Sequence, residues 1–369
     1  MKHCNGLDGL RGVAVIMVVA VHAYYFGPQF QTAEGFYVEW LRQILMSGWI
    51  GVDLFFALSG FLITSIQIEE KSRNDGFKTY LKRFYVKRSL RIFPLYYGLL
   101  AACVVGSFLS IHPKIDPALD SAFANFGIYA LFLSNYIEPI LGHAPESSRL
   151  LGMTWSLATE EQYYLIWPIV LFLIPLLKLR SVIIGLLIAL PIIRIAFLMG
   201  GASSGFIYHS SITHIDSILA GSLLAIWLSN DNQRFSRWWM VAIGGILTLF
   251  GFLYSGTTEH TAPSVQILGY SGIALISASV IETIWRGGSL SKLFEWKIFI
   301  IFGKYSYFIY LFHILLMVAL SSLRMELGSW GIPALLVYFI ATSLISLGLG
   351  ALSFRCVESK FMALRQRWI

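Results

Sequence analysis

Two proton-active side chains, Arg11 and His22, stand at the two ends of the first long apolar run of the chain. On an α-helix their eleven-residue separation is three turns plus roughly 20°, so both side chains share one stripe about 16 Å apart. Asp8 precedes Arg11 by three residues and lies on the same stripe. An ionisable side chain at membrane depth is costly, so it is functional, snorkels to the interface or makes a structural hydrogen bond. Three such groups on one stripe predict one wall of a polar pathway.

A basic stretch runs from Phe77 to Tyr97 and carries Lys87, Arg88 and Arg91 within about one turn. Arginine forks grip phosphate oxygens through two hydrogen bonds, so this cluster predicts a clamp for a polyanionic phosphate compound. An interfacial helix bound to anionic lipid headgroups explains the same composition. The two interpretations are compatible.

Adjacent carboxylates, Glu160 and Glu161, follow soon after Thr154 in a segment rich in aromatic residues. Paired acids beside apolar rings favour one raised pKa, and hence acid or base chemistry. We expect this segment to open a membrane span on the outer side, where the two acids would orient a sugar. Four aromatic residues could stack on sugar rings, or lie there as an ordinary interfacial belt: Trp155, Tyr163, Tyr164 and Trp167.

Further polar candidates occur in two later apolar segments. His214 and Asp216 enter one of them, and Ser306, Tyr310 and His313 share one helical face in another, although packing explains each residue alone. The histidines lack the paired spacing of a zinc site, so no metal is expected. The sequence has no glycine-rich phosphate loop and no Gly-x-Ser-x-Gly nucleophile elbow.

The elements that position these residues are predicted to be membrane helices. Hydrophobic residues make up 57% of the chain and charged residues 13%, against about 25% charged in soluble domains. The segment 121–137 is short and polar, and we expect at most partial or re-entrant insertion. Ten apolar runs are long enough to span a bilayer: 7–26, 47–68, 92–111, 155–177, 181–200, 212–228, 238–255, 264–285, 298–320 and 330–354.

The distribution of positive charge predicts the orientation. With ten spans and the N-terminus inside, all but five of the 27 Lys and Arg residues fall on inner segments. Counting 121–137 as a span would destroy this asymmetry. We therefore predict an all-α polytopic bundle with both termini cytoplasmic, a lid or mouth formed by 112–154, one domain over 1–369 and no appended soluble domain. Because the basic residues follow the inner face, nucleic-acid binding is not expected. The five outer residues are Arg42, Lys114, Arg149, Arg194 and Arg324.

Six motifs in order, spread over some 300 residues, resemble the acyltransferase-3 family of integral membrane proteins, which includes O-acetylases of bacterial surface polysaccharides. The motifs are GLDGLRGVAVIMVVAVH (Gly6 to His22), GVDLFFALSGFLIT (Gly51 to Thr64), FYVKRSLRIFPLYY (Phe84 to Tyr97), WSLATEEQYYLIWP (Trp155 to Pro168), HIDSILAGSLLA (His214 to Ala225) and GKYSYFIYLFH (Gly303 to His313).

This resemblance implies a ten-helix bundle in the bacterial inner membrane that moves an acyl group, usually acetyl, from cytoplasmic acetyl-CoA to a hydroxyl of an extracytoplasmic carbohydrate or lipid-linked glycan. Acetyl-CoA is a donor substrate and not a resident cofactor. Family members rely on the pair matched by Arg11 and His22, with His22 as general base or transient acyl carrier. They also rely on the element matched by Arg88 and Arg91, and a Glu-Glu-Gln motif, here ending at Gln162, is characteristic.

The chain departs from the family pattern at two positions. Lys87 stands where arginine is common, which removes one bidentate fork, and His214 stands where an arginine often precedes the x-Asp pair. A transporter of a glycolipid or small anion is the alternative function, since polar stripes also line transport paths. Against it, the sequence has no inverted repeat. The acceptor and the oligomeric state stay open.

Overall fold

The computed structural model describes residues 4–28, 35–109, 115–229, 237–288, 291–320 and 331–368. These residues form α-helices and short helical turns, and no strand occurs among them. The helices are α1 (Asn5–Phe26), α2 (Phe36–Met46), α3 (Ile50–Lys71), α4 (Phe77–Leu109), α5 (Asp116–Ala124), α6 (Phe126–Ala130), α7 (Ile137–Leu141), α8 (Ser148–Leu151), α9 (Thr154–Leu173), α10 (Leu176–Met199), α11 (Ser204–His209), α12 (Asp216–Leu228), α13 (Arg237–Ser255), α14 (Tyr270–Trp285), α15 (Ser291–Phe294), α16 (Lys297–Lys304), α17 (Ser306–Ala319), α18 (Ile332–Ser353) and α19 (Ser359–Trp368).

The polytopic helical bundle predicted from the sequence is confirmed. Within the described residues, seven helices are long and apolar enough to cross a membrane, or eight if the bent pair α16 and α17 is one span. Helices α9 and α12 coincide with two more of the predicted runs. The count of ten spans and the cytoplasmic termini stay predictions, and Lys114 and Arg324 lie outside the described residues.

Two predicted segments differ from the structure, and 121–137 is not one continuous helix. The second span begins at Phe36, because α2 and α3 continue through a 3-10 turn. The basic stretch from Phe77 to Tyr97 is the N-terminal part of the continuous 33-residue helix α4, so it is not a separate interfacial helix. The segment 121–137 is divided among the end of α5, α6 and a 3-10 turn at Ser134–Tyr136, none of which is long enough to span a bilayer.

Glycines allow α1 to approach its neighbours closely. A Cβ atom at Gly9 or Gly12 would overlap the backbone at Phe294 or Phe299, and one at Gly303 would overlap the backbone of Asp8. Small residues at helix interfaces permit such contacts in membranes, where no hydrophobic force drives helices together. Helix α1 therefore packs at the centre, against α3, α16 and α17.

The bend between α16 and α17 brings a polar helix face to this centre. The two helices meet at 77°, and Tyr305 separates them. Ser306, Tyr310 and His313 are buried on α17, beside α1. The face that the sequence predicted is thus directed into the bundle.

Candidate active site

Two cavities lie at the two ends of α1. The first is called the arginine cavity here and the second the histidine cavity. Counted with the part that is open to solvent, their volumes are about 730 Å³ and about 1270 Å³. Among the described residues, only Val52 and Tyr310 line both. The polar and aromatic residues of the arginine cavity include Arg11, Ser59, Arg88, Arg91, Glu160, Tyr164, Ser306 and Tyr310. Those of the histidine cavity include His22, Tyr25, Trp49, Asn135, Glu138, Trp155, Tyr208, His209, His260 and Tyr310.

The stripe predicted on α1 connects the two cavities. Arg11 lines the arginine cavity and donates a hydrogen bond of 3.2 Å to Asp8. His22, three turns further on, lines the histidine cavity. Because α1 is a continuous helix between them, it forms one wall of both spaces.

His22 is oriented by a second histidine. Its Nδ1 lies 2.8 Å from the carbonyl oxygen of Val18 and 3.1 Å from Nε2 of His313. Nδ1 of His313 lies 2.8 Å from the carbonyl of Tyr310, so that nitrogen carries a proton and Nε2 is an acceptor. This network assigns the proton of His22 to Nδ1, which leaves Nε2 as a basic lone pair. His313 is fully buried, whereas His22 borders the cavity.

Tyr310 and Val52 form the partition between the cavities. The Tyr310 hydroxyl lies 2.5 Å from Ser156 Oγ and donates to the carbonyl of Met153 at 3.1 Å. The residue is 9% exposed, so its side chain is almost entirely in contact with protein.

The arginine cavity combines cations with a carboxylate. The Arg88 guanidinium stacks over the ring of Tyr164 at 5.2 Å. Glu160 accepts hydrogen bonds from Ser59 Oγ at 2.6 Å and from the Tyr164 hydroxyl at 3.0 Å. Arg11, Arg88 and Arg91 approach this space from α1 and α4, which gives it the charge expected of a phosphate site.

Glu160 lines the arginine cavity and not the histidine cavity, so the two predicted acids do not share a site with His22. Helix α9 passes from the histidine cavity at Trp155 to the arginine cavity, and Glu160 lies about 7.5 Å beyond Trp155 along the axis. Its carboxylate therefore lies in the same cavity as the arginines. Glu161 lines neither cavity, and no described residue hydrogen bonds its buried Oε1.

Lys87 is drawn away from the arginine cavity by Glu70, which the sequence analysis missed. Its ammonium group donates to Glu70 Oε1 at 2.8 Å. The two residues line a separate space of about 470 Å³, to which Arg88 and Arg91 also contribute. Of the three cations predicted as a phosphate clamp, Arg88 and Arg91 line both the arginine cavity and this smaller space, whereas Lys87 lines the smaller space alone.

Three other predicted pathway residues lie away from both cavities. Gln162 holds the 132–136 turn through Phe132 and Asn135, His214 contacts Asp53, and Asp216 binds Arg194. Arg194, expected near the outer face, is fully buried and reaches the two Asp216 oxygens at 2.7 and 3.2 Å. Sequence reasoning missed Asp53 and Arg194 as partners. The one sequence signal that could have pointed to this pairing is the GVD motif, which contains Asp53.

Two histidines on connecting segments complete the histidine cavity. Burial lowers the pKa of His209 to about 4, and the nearby His214 lowers it further. Burial also lowers the pKa of His260 to about 3, with a smaller effect of His209. Both rings are therefore uncharged at neutral pH. The described residues contain no group of three or more His, Cys, Asp or Glu side chains that could hold a metal ion.

Known proteins resemble this chain over nearly its whole length. A family model described as an acyltransferase domain matches residues 5–351. The peptidoglycan O-acetyltransferase OatA of Listeria monocytogenes is 30% identical over 378 residues, which are 97% of this chain and 56% of that protein. The O-acetyltransferase OatA of Staphylococcus aureus is 30% identical over 373 residues, 97% of this chain and 57% of the relative. The chain thus spans little more than half the length of these relatives, and no solved structure matches it.

Proposed function

The chain belongs to the acyltransferase-3 family of integral membrane proteins, and on that premise we propose that it transfers an acetyl group from acetyl-CoA to a carbohydrate hydroxyl across the membrane. One observation carries the proposal. A cavity lined by three arginines and a cavity lined by His22 lie end to end along α1, and one tyrosine and one valine separate them. Donor and acceptor can therefore enter from opposite faces and meet near the middle.

The donor binds on the arginine side. Arg88 and Arg91, with Arg11, hold the CoA phosphates, because guanidinium groups bind phosphate oxygens through paired hydrogen bonds. Glu160 lies beside them and is tied to Ser59 and Tyr164, so it orients the cations without neutralising all three. The pantetheine arm extends past Tyr310 and presents the thioester to His22.

His22 acts as the general base. Its Nε2 accepts the proton of the acceptor hydroxyl while the hydroxyl oxygen attacks the thioester carbonyl. The new C–O bond forms, the C–S bond breaks, and the proton passes from His22 to the leaving thiolate. The carbonyl of Val18 and Nε2 of His313 stabilise the transient imidazolium through its Nδ1 proton.

Purified protein in lipid nanodiscs, incubated with acetyl-labelled acetyl-CoA and soluble oligosaccharides, tests the proposal. We expect the label to move to the oligosaccharide. A transporter would leave the label on CoA, and that result would contradict the proposal.

A pair of variants tests the donor site. Arg88→Ala with Arg91→Ala removes charge-assisted hydrogen bonds, so CoA affinity should fall about tenfold or more. Lys82→Ala is the matched control, because Lys82 is exposed on the same helix and lines neither cavity. Unchanged CoA affinity in the double variant would leave only lipid anchoring for these arginines.

A further inference from the structure

The histidine cavity has an aromatic wall that includes two of its histidines. The ring centroid of Tyr208 lies 4.7 Å from that of Trp155, 5.3 Å from that of His209 and 4.1 Å from that of His260. Trp49 continues the wall at 6.2 Å from His260. The planes of these neighbouring rings are tilted to one another by 44° to 57°, so the lining offers separate aromatic faces beside polar nitrogens. Such a lining suits a ligand that has one apolar face and hydrogen-bonding edges.

The charges of the two cavities differ sharply. Every Lys or Arg that the described residues bring to either cavity lines the arginine cavity. In the histidine cavity, Glu138 is the one described Asp, Glu, Lys or Arg residue of the lining, and His209 and His260 stay uncharged. No described cation forms an ion pair with Glu138. An anionic ligand would therefore meet a carboxylate with no compensating positive charge.

Resting on the proposed function, we infer that the histidine cavity is a subsite for an uncharged glycosyl unit and that Glu138 selects against acidic sugars. One face of the sugar ring packs on Trp155, and its edge meets Tyr208. Ring hydroxyls reach the nitrogens of His209 and His260, to which no described residue makes a hydrogen bond. One further hydroxyl points to Nε2 of His22.

The size of the cavity fits this occupant. Its space of about 1270 Å³ includes the part that is open to solvent, so the cavity can hold a sugar ring while the neighbouring units of an oligosaccharide extend outward. Phosphorylated or uronic-acid sugars have the same ring but carry a negative charge. Charge can therefore distinguish neutral from acidic sugars in this cavity, whereas the shape of the ring cannot.

Calorimetric titration with two trimers of similar size tests the inference, and binding is measured independently of turnover. The probes are chitotriose, which is uncharged, and trigalacturonate, which carries three carboxylates. We expect chitotriose to bind at least about tenfold more tightly. Glu138→Gln should reduce that preference about fivefold, the effect of one charge a few ångströms away in a partly hydrated site. Trp155→Ala should weaken chitotriose binding about tenfold.

The matched control is Glu146→Gln, which removes an exposed carboxylate from the same connecting region without touching the cavity, and should retain the wild-type preference. Equal affinity for both trimers, or no binding of chitotriose, would overturn the inference. If chitotriose binds selectively but acetyl-CoA never donates its acetyl group to any acceptor, the proposed function fails and the subsite stands.

Discussion

Two clusters of buried ionisable residues lie in this bundle, and they differ in what surrounds them. In the first, Arg194 binds Asp216 and donates to the carbonyls of Thr213 and Ile267, while His214 contacts Asp53. We call these four ionisable residues, Asp53, Arg194, His214 and Asp216, the polar knot. All four are fully buried, and none lines the arginine or the histidine cavity.

The second cluster is the pair His22 and His313, which contains no carboxylate and borders the histidine cavity. Burying ionisable side chains in a membrane costs free energy in both clusters, so this cost alone does not identify a reactive group. The difference is access. The polar knot directs its hydrogen bonds inward to hold helices α3, α10, α12 and α14 together, whereas His22 directs one nitrogen toward a space that a substrate can enter.

The largest expected effect of a single substitution is on chemistry, at His22. His22→Ala removes the general base, so the rate of acetyl transfer should fall about 10²- to 10⁴-fold. Water from the histidine cavity can reach the polar groups that His22 contacted, so the melting temperature should stay close to that of the wild type. Rates come from transfer of labelled acetyl groups, and melting from a thermal scan in the same nanodiscs. A wild-type rate in the correctly inserted variant would remove His22 from catalysis.

A substitution in the polar knot should have the opposite signature. Arg194→Met leaves Asp216 as an uncompensated buried charge, so the free energy of unfolding should fall by about 3–5 kcal/mol. Arg194→Met combined with Asp216→Leu should recover most of that loss, because the unpaired charge is gone. The molecules that remain folded should keep a near wild-type turnover number.

Lys178→Met on the same helix is the control for this loss of stability. Lys178 is exposed, and a surface substitution of this kind should change the free energy of unfolding by less than about 0.5 kcal/mol. Unfolding is followed in a denaturing detergent titration. If Arg194→Met abolished turnover in fully folded protein, the distinction between the two clusters would not hold.

The sequence predicts the local parts of this arrangement. Periodicity along one helix placed Arg11 and His22 on one stripe and Ser306, Tyr310 and His313 on one face, because residues on a helix have fixed angular positions. The pairing of Arg194 with Asp216 joins two helices whose relative rotation the chain does not encode locally. The same limit explains Glu160: the cavity that it lines depends on how α9 is placed along the bundle relative to α1 and α4. Lys87 was assigned to the phosphate clamp for a similar reason: its partner Glu70 is on another helix, so the pairing is not visible in the sequence around Lys87.

The smallest of the three effects, at His313, decides whether a fully buried residue can still serve the reactive cluster. His313 touches no cavity, yet its Nε2 is positioned to accept the Nδ1 proton of His22. His313→Ala removes that acceptor and should lower kcat about tenfold, with KM for the acceptor unchanged.

His313→Asn supplies a carbonyl oxygen near the same place and should recover a large part of that loss, which a purely structural role does not predict. The double variant of His22→Ala and His313→Ala should be no slower than His22→Ala alone, because a positioning residue has no effect once its target is gone. Additive losses in the double variant would instead place His313 with the polar knot, as a packing residue that happens to lie beside the base.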